Sequence, residues 1–264
     1  MRDGFESQSR FRKRCLSGAV LAGTFQKSPS RHVGEILARS GLDFAVLDAE
    51  HAPFGIEAID DVIAPTRPLG FPMLVRVPEL RPALVGACLD AGASGIVVPH
   101  VKTTLDAQAA VAAARFAAGD RGLSPSARAG DYGGRGLVEL MEASDAAVSV
   151  WCQIEDVEGV DNVEAISRVP GVDALFVGRA DLMRSLKATS IQEPAVQQAV
   201  ARVAAAGRQS GTPLAIFIGH IGEAAAFREL GFSIFICGSD QSLLKAEAAN
   251  IKRHMAGMAP AANS

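Results

Sequence analysis

DFAVLDAEHAPFG, residues 43–55, runs from an apolar segment, Phe44 to Leu47, directly into Asp48, Glu50 and His51. One Asp or Gly suffices to end a strand, so three ionisable groups at its end call for another explanation. Working outward, the same kind of apolar run recurs at 18–25 (GAVLAGTF), 72–77 (PMLVRV), 94–99 (SGIVVP), 147–155 (AVSVWCQIE), 173–178 (DALFVG), 213–218 (PLAIFI) and 233–237 (SIFIC). Most are continuously apolar rather than alternating, as parallel strands covered on both faces require. Ala/Leu-rich segments with helical spacing lie between them, at 31–41, 81–92, 103–116 and 194–209. Gly41, Gly92 and Gly231 stand just before the next strand, where a left-handed helix cap is expected. Eight strand–helix alternations predict an α/β fold, a single (β/α)8 barrel over 16–256. Residues 1–15 read as a flexible extension and 257–264 as a tail. A doubly wound open sheet is the alternative, but no GxGxxG follows the first strand and no GxxxxGK[ST] loop occurs.

The bulk properties narrow the function. Hydrophobic residues make up 48% of 264, ample for a large core, and the net charge of −3 gives no sign of a nucleic-acid or membrane-surface partner. The basic run RFRKR, 10–14, reads as a solvated tail. No apolar run follows the basic N-terminus as in a signal peptide, and none approaches the ~20 residues of a membrane span. The four cysteines, Cys15, Cys88, Cys152 and Cys237, are far apart and mostly in apolar runs, so they read as core thiols. A cytoplasmic protein is expected. The loop at 117–136, rich in Gly, Arg and Asp, is expected to cover part of a site.

A barrel gathers chemistry at the C-terminal ends of its strands. Reading those ends gives Asp48, Glu50 and His51; Arg76; His100; Gln153 and Glu155; and Arg179 and Asp181. Each has a plainer reading. Asp48 or Asp181 can cap a helix, Arg76 can make an internal ion pair, and His51 or His100 can be a satisfied loop histidine. A buried Glu155 needs a cation, a metal or water. Their coincidence at one rim favours a site. Two carboxylates cannot close a structural zinc site, but they suit a hard divalent ion, Mg²⁺, Mn²⁺ or Co²⁺, that leaves positions for substrate oxygens. Arg76 adds positive charge where an enolate develops, and His51 can act as a base held by Asp48 or Glu50.

These segments, LDAEHAPFG, LVRVP, DAGASGIVVPHVKTTLDAQAAV, GDRG, CQIEDVEGVDNVEAI and VDALFVGRADL, together resemble the HpcH/HpaI aldolase family over about residues 16–250. The resemblance implies a (β/α)8 barrel, a divalent metal and reversible cleavage of a 4-hydroxy-2-oxo acid to pyruvate and an aldehyde. It implies His51 as base with Asp48 its partner, Arg76 on the enolate oxygen, Glu155 and Asp181 on the metal, and Gln153 beside the 2-oxo acid. It also implies a homo-oligomer, a trimer or a hexamer with exchanged C-terminal helices. The chain departs from the family's GPADLS-like segment with GRADLM, 178–183, so Arg179 either binds a further acidic group or faces solvent; the glycine usual after that segment is also missing from RSLKATS. Three other readings stand beside this one. Lys27 or Lys102 would serve a Schiff-base aldolase, though both read as solvated loop lysines. The same site could decarboxylate oxaloacetate or use the enolate to form another carbon–carbon bond. A barrel that merely binds a 2-oxo acid is the non-catalytic alternative.

Overall fold

The computed structural model describes residues 4–117 and 119–257. Eight parallel strands close into a barrel in sequence order, β1 pairing with both β2 and β8. The strands are β1 Leu21–Gln26, β2 Phe44–Asp48, β3 Met73–Arg76, β4 Gly95–Val98, β5 Ser149–Ile154, β6 Ala174–Val177, β7 Leu214–Ile218 and β8 Ile234–Ser239. The helices are α1 Gly4–Leu16, α2 Arg31–Ala38, α3 Ile56–Thr66, α4 Pro82–Asp90, α5 Thr104–Ala114, α6 Leu137–Ala147, α7 Val157–Asp161, α8 Val163–Ile166, α9 Arg179–Ser185, α10 Pro194–Ser210, α11 Ala224–Glu229 and α12 Asp240–Gly257. No helix among the described residues is long and apolar enough to cross a membrane.

The strand period of two sorts the side chains. Residues such as Ala45, Leu47, Val75 and Ile96 point out and join the core beneath the helices. Phe44, Val46, Leu74, Val97 and Trp151 point in and fill the barrel. Asp48 lies two residues beyond Val46, Arg76 two beyond Leu74, and Gln153 two beyond Trp151. The polar groups therefore share the inward parity and sit at the C-terminal mouth.

Three expectations are corrected by the structure. Residues 4–15 are not a free extension. Phe5, Gln8, Phe11 and Cys15 are buried along one face of α1, and Phe11 closes the N-terminal end of the barrel, its ring 5.4 Å from Phe44 and 6.3 Å from Trp151. Nor is the basic run simply solvated: Arg12 pairs with buried Asp173 at 2.8 Å, and Arg14 with Asp43 at 2.7 Å. Gly18, at φ +71°, turns the chain between α1 and the barrel, which delays β1 to Leu21. The loop at 117–136 follows α5, not β4, and runs into α6 before β5, so it belongs to the return from helix to strand at the N-terminal end. There Arg128 pairs with Asp60 of α3 at 2.8 Å, Arg135 stacks on Phe5, and none of the loop's described residues lines the cavity at the opposite mouth. The expected tail lies outside the described residues apart from Gly257, which ends α12.

Candidate active site

The C-terminal mouth holds a cavity of about 280 Å³, small enough to suit a compact metabolite. Its walls include Lys27, His51, Arg76, Gln153, Arg179 and Asp181 over a floor of Phe25, Phe176 and Phe217. Strand ends separated by long stretches of sequence thus meet at one place.

Asp48, fully buried at the end of β2, is the organising anion. Arg76, its neighbour in register on β3, donates from Nε to Oδ1 at 3.0 Å and pairs through Nη2 with Oδ2 at 2.7 Å. Lys27 Nζ lies 3.1 Å from the same Oδ2. The backbone amide of His51 donates to Oδ1 at 3.1 Å, so Asp48 fixes the turn that carries the histidine rather than its ring. Burial alone would raise the Asp48 carboxyl; Arg76, the His51 amide and Lys27 outweigh it and hold the group below the ordinary carboxylate range. Arg76 itself is nearly buried, its Cζ over the Phe25 ring, 4.6 Å from the ring centre. Its contacts to Asp48 and Glu50 run through Nε and Nη2, which leaves Nη1 for the cavity that Arg76 lines.

The His51 ring is half-exposed at the cavity wall, and the carboxylate nearest its Nε2 is Glu50, at 3.8 Å. Of the two residues expected to hold the base, Asp48 holds its backbone and Glu50 neighbours its ring. Glu50 also receives Arg76 Nε at 3.3 Å.

Glu155 follows β5 and is 1% exposed. It accepts the backbone amide of His100 at 2.9 Å, and its other oxygen abuts the Gln153 amide. Gly178 makes room for this pair: a Cβ there would stand 2.5 Å from Glu155 Oε2. Gln153 is also 1% exposed, and its Oε1 has no hydrogen-bond donor among the described residues. Burial pushes both Glu155 and Glu50 above the ordinary carboxylate range, even against the neighbouring cations. Asp181, part-exposed in the first turn of α9, lines the cavity beside Gly178. The helix cap is Gly178, so Asp181 is not spent as the capping residue; a loose contact of 3.4 Å to Arg184 engages it.

His100 and Lys27 are more involved than the sequence suggested. His100 closes β4 with its backbone in the left-handed region, φ 54°. Its Nδ1 lies 3.0 Å from Asp156 and its Nε2 3.6 Å from Glu50. Burial would lower this imidazole, but Asp156, Glu155 and Glu50 outweigh it and raise it. The signal available in the sequence was position alone: His100 follows its strand just as His51 follows β2. Lys27 lines the cavity, while Lys102 lies at the rim, 3.8 Å from Asp156. Arg179 neither faces solvent nor offers a free fork. It is 5% exposed, pairs with Glu223 at 2.7 Å, donates to the Phe217 carbonyl at 2.9 Å and lies over Phe227. It ties the start of α9 to the loop after β7.

Known proteins share this sequence and fold. The profile of the family described as HpcH/HpaI aldolase/citrate lyase matches residues 21–246. A 5-keto-4-deoxy-D-glucarate aldolase of Klebsiella pneumoniae is 34% identical over 213 residues, 80% of this chain and 82% of that protein. The crystal structure of an HpcH/HpaI aldolase/citrate lyase family protein from Burkholderia cenocepacia J2315 superposes with a TM-score of 0.89 at 34% identity, covering 94% of this chain and 99% of the other. The citrate synthase SbnG superposes with a TM-score of 0.81 at 28% identity, covering 92% and 97%. With a family match over nearly the whole barrel and relatives alike over most of their length, the chain belongs to the HpcH/HpaI aldolase/citrate lyase family of aldolases and lyases.

Proposed function

We propose that this protein is a divalent-metal-dependent lyase that reversibly cleaves a 4-hydroxy-2-oxo acid to pyruvate and an aldehyde. The observation that carries the reading is the meeting of His51, Arg76, Gln153 and Asp181 on one cavity, with Glu155 directly behind Gly178. Glu155 and Asp181 are the residues that would hold the metal. The donor set fits a hard cation: a buried carboxylate with no lysine or arginine partner among the described residues, a second carboxylate not used as a cap, and an orphaned Gln153 carbonyl. When bound, such an ion supplies Lewis-acid chemistry to the 2-oxo acid.

The protein's own groups do the rest. His51 takes the proton of the 4-hydroxyl. The C3–C4 bond breaks, its electrons pass to C2 and the keto oxygen, and the aldehyde leaves; protonation at C3 then gives pyruvate. Arg76, fixed by Asp48, presents Nη1 to the oxygen on which charge develops. Lys27 gives the cavity a further cation, which favours a substrate with a second carboxylate, in keeping with the 5-keto-4-deoxy-D-glucarate aldolases among the relatives. Arg179, engaged by Glu223, positions the rim instead of binding that acid. A Schiff base is disfavoured because Lys27 is held against Asp48, and an ion-paired ammonium has no lone pair for attack. A second reading, the use of the enolate to form a carbon–carbon bond, is favoured by the likeness to a citrate synthase. The four free thiols, three of them buried, accord with a cytoplasmic setting. We also assign a homo-oligomer: α12 turns Leu243, Leu244, Ile251 and Met255 to solvent, which a second copy would cover.

The test is pyruvate release from a panel of 4-hydroxy-2-oxo acids with Mg²⁺, Mn²⁺ or Co²⁺. Release is expected to stop after EDTA and return with metal, and His51→Asn is expected to lower kcat about 10²–10⁴-fold. Full turnover in EDTA, or a borohydride-trapped pyruvate adduct, refutes the reading. Consumption of oxaloacetate without any aldehyde acceptor would favour decarboxylation.

A further inference from the structure

Lys27 stands two residues beyond Phe25, so it shares the inward parity of β1 and lines the cavity. Its loop is tied down from two directions. Asp240, which opens α12, accepts the Lys27 amide at 2.7 Å and the Ser28 amide at 3.1 Å. The buried Gln26 side chain donates to the Ser28 and Ser30 carbonyls, each at 2.9 Å. The ammonium so placed lies 3.1 Å from Asp48 Oδ2, the same oxygen that Arg76 Nη2 meets at 2.7 Å. Asp48 is thus shared by two cations. Arg76 in turn meets two carboxylates, Asp48 and Glu50, the second at 3.3 Å from its Nε. With both carboxylates ionised, Arg76 alone would leave a net negative charge at the wall where an enolate forms, and that field opposes the developing oxyanion. Lys27 supplies the missing positive charge. Asp48 does not need it for its own sake, since it keeps Arg76 and the His51 amide without it. Nor does the lysine need Asp48, because its side chain is 29% exposed and open to hydration.

We propose that Lys27 is a positioning residue for charge: it offsets Asp48, so that Arg76 acts on the enolate oxygen with its full positive charge. The proposal rests on the lyase reading above and deepens it. It places the cost of losing Lys27 in enolate formation, the half-reaction that needs no aldehyde, whatever acid the acceptor carries.

That half-reaction is isolated by incubating the full chain with Mn²⁺ and pyruvate in D₂O. Exchange breaks a C3–H bond of pyruvate, passes its electrons to C2 and the keto oxygen, and returns a deuteron to C3. Proton NMR reads the loss of the methyl signal once the metal is removed with EDTA. Lys27→Met is expected to slow exchange about 10–100-fold while KM for pyruvate changes by less than about threefold. Lys27→Arg is expected to recover about a third of the rate or more, because it keeps the charge. A Schiff base requires a primary amine, so recovery by arginine also separates a charge from a nucleophile. Calorimetry supplies a readout apart from turnover: oxalate, a mimic of the enolate, should bind Lys27→Met about 10-fold more weakly, and pyruvate should bind it nearly as before. Lys27→Gln is a second neutral variant, and circular-dichroism melts establish that the variants are folded. Unchanged exchange in both neutral variants, or a loss confined to KM for dicarboxylic substrates, overturns the proposal and leaves the lyase reading standing. Lys27→Arg as slow as Lys27→Met also overturns it. An unsubstituted protein that neither exchanges pyruvate nor binds oxalate overturns both.

Discussion

At Glu155 the needs of folding and of chemistry oppose each other. The carboxyl is buried, its only charged partner among the described residues is an imidazole, and burial raises it above the ordinary carboxylate range. A raised carboxyl binds its proton more tightly folded than unfolded, so its contribution is most favourable in acid and is lost as pH rises through the folded value. Without metal, Glu155→Gln is therefore expected to raise Tm by about 2–4 °C at pH 8 and by much less near pH 4, read by differential scanning fluorimetry in EDTA. The same substitution should abolish the Tm increase caused by Mn²⁺. Asp48 has the opposite sign: held low by Arg76, its support is full above the ordinary carboxylate range and fades on acidification. The residue types at the rim were legible because each follows an apolar run. Their pairings were not. That Asp48 grips the His51 amide, and that Arg179 is spent on Glu223, depends on side chains brought together by the folded chain.

Among the elements, the strands were the most readable, since both faces of a parallel barrel strand are apolar and the signal is a plain run. α1 was hidden. Phe5, Gln8, Phe11 and Cys15 keep helical spacing, but the charges of RFRKR dominate the local composition. The pairing of Arg12 with Asp173 explains how those charges coexist with a buried face. Because Phe11 plugs the barrel against Phe44 and Trp151, Phe11→Ala is expected to cost about 3–5 kcal/mol in urea unfolding. Pyruvate release at 25 °C should change little, as α1 lies at the opposite end from the cavity. The loop at 117–136 was misjudged for a topological reason. Its composition resembles that of a covering loop, but only chain order, between α5 and α6 on the way back to β5, tells which end of the barrel it joins.

For the whole molecule, the barrel accounts for nearly all the packing, and α12 is the exception. Its side chains are exposed from Gln241 to Ala249, and Leu244 is 75% exposed. If a second copy covers this helix, Leu244→Asp with Ile251→Asp should shift the sedimentation coefficient from oligomer to monomer and leave the circular-dichroism spectrum unchanged. An unchanged coefficient would move the interface elsewhere. The closed ring has a consequence of another kind. In an open sheet the outermost strands fray first, but here β1 is bonded on one side to β2 and on the other to β8. No strand offers a loose end from which to unzip, so backbone deuterium uptake in β1 and β8 should be as slow as in β4 and β5, and all eight should surrender their protons together.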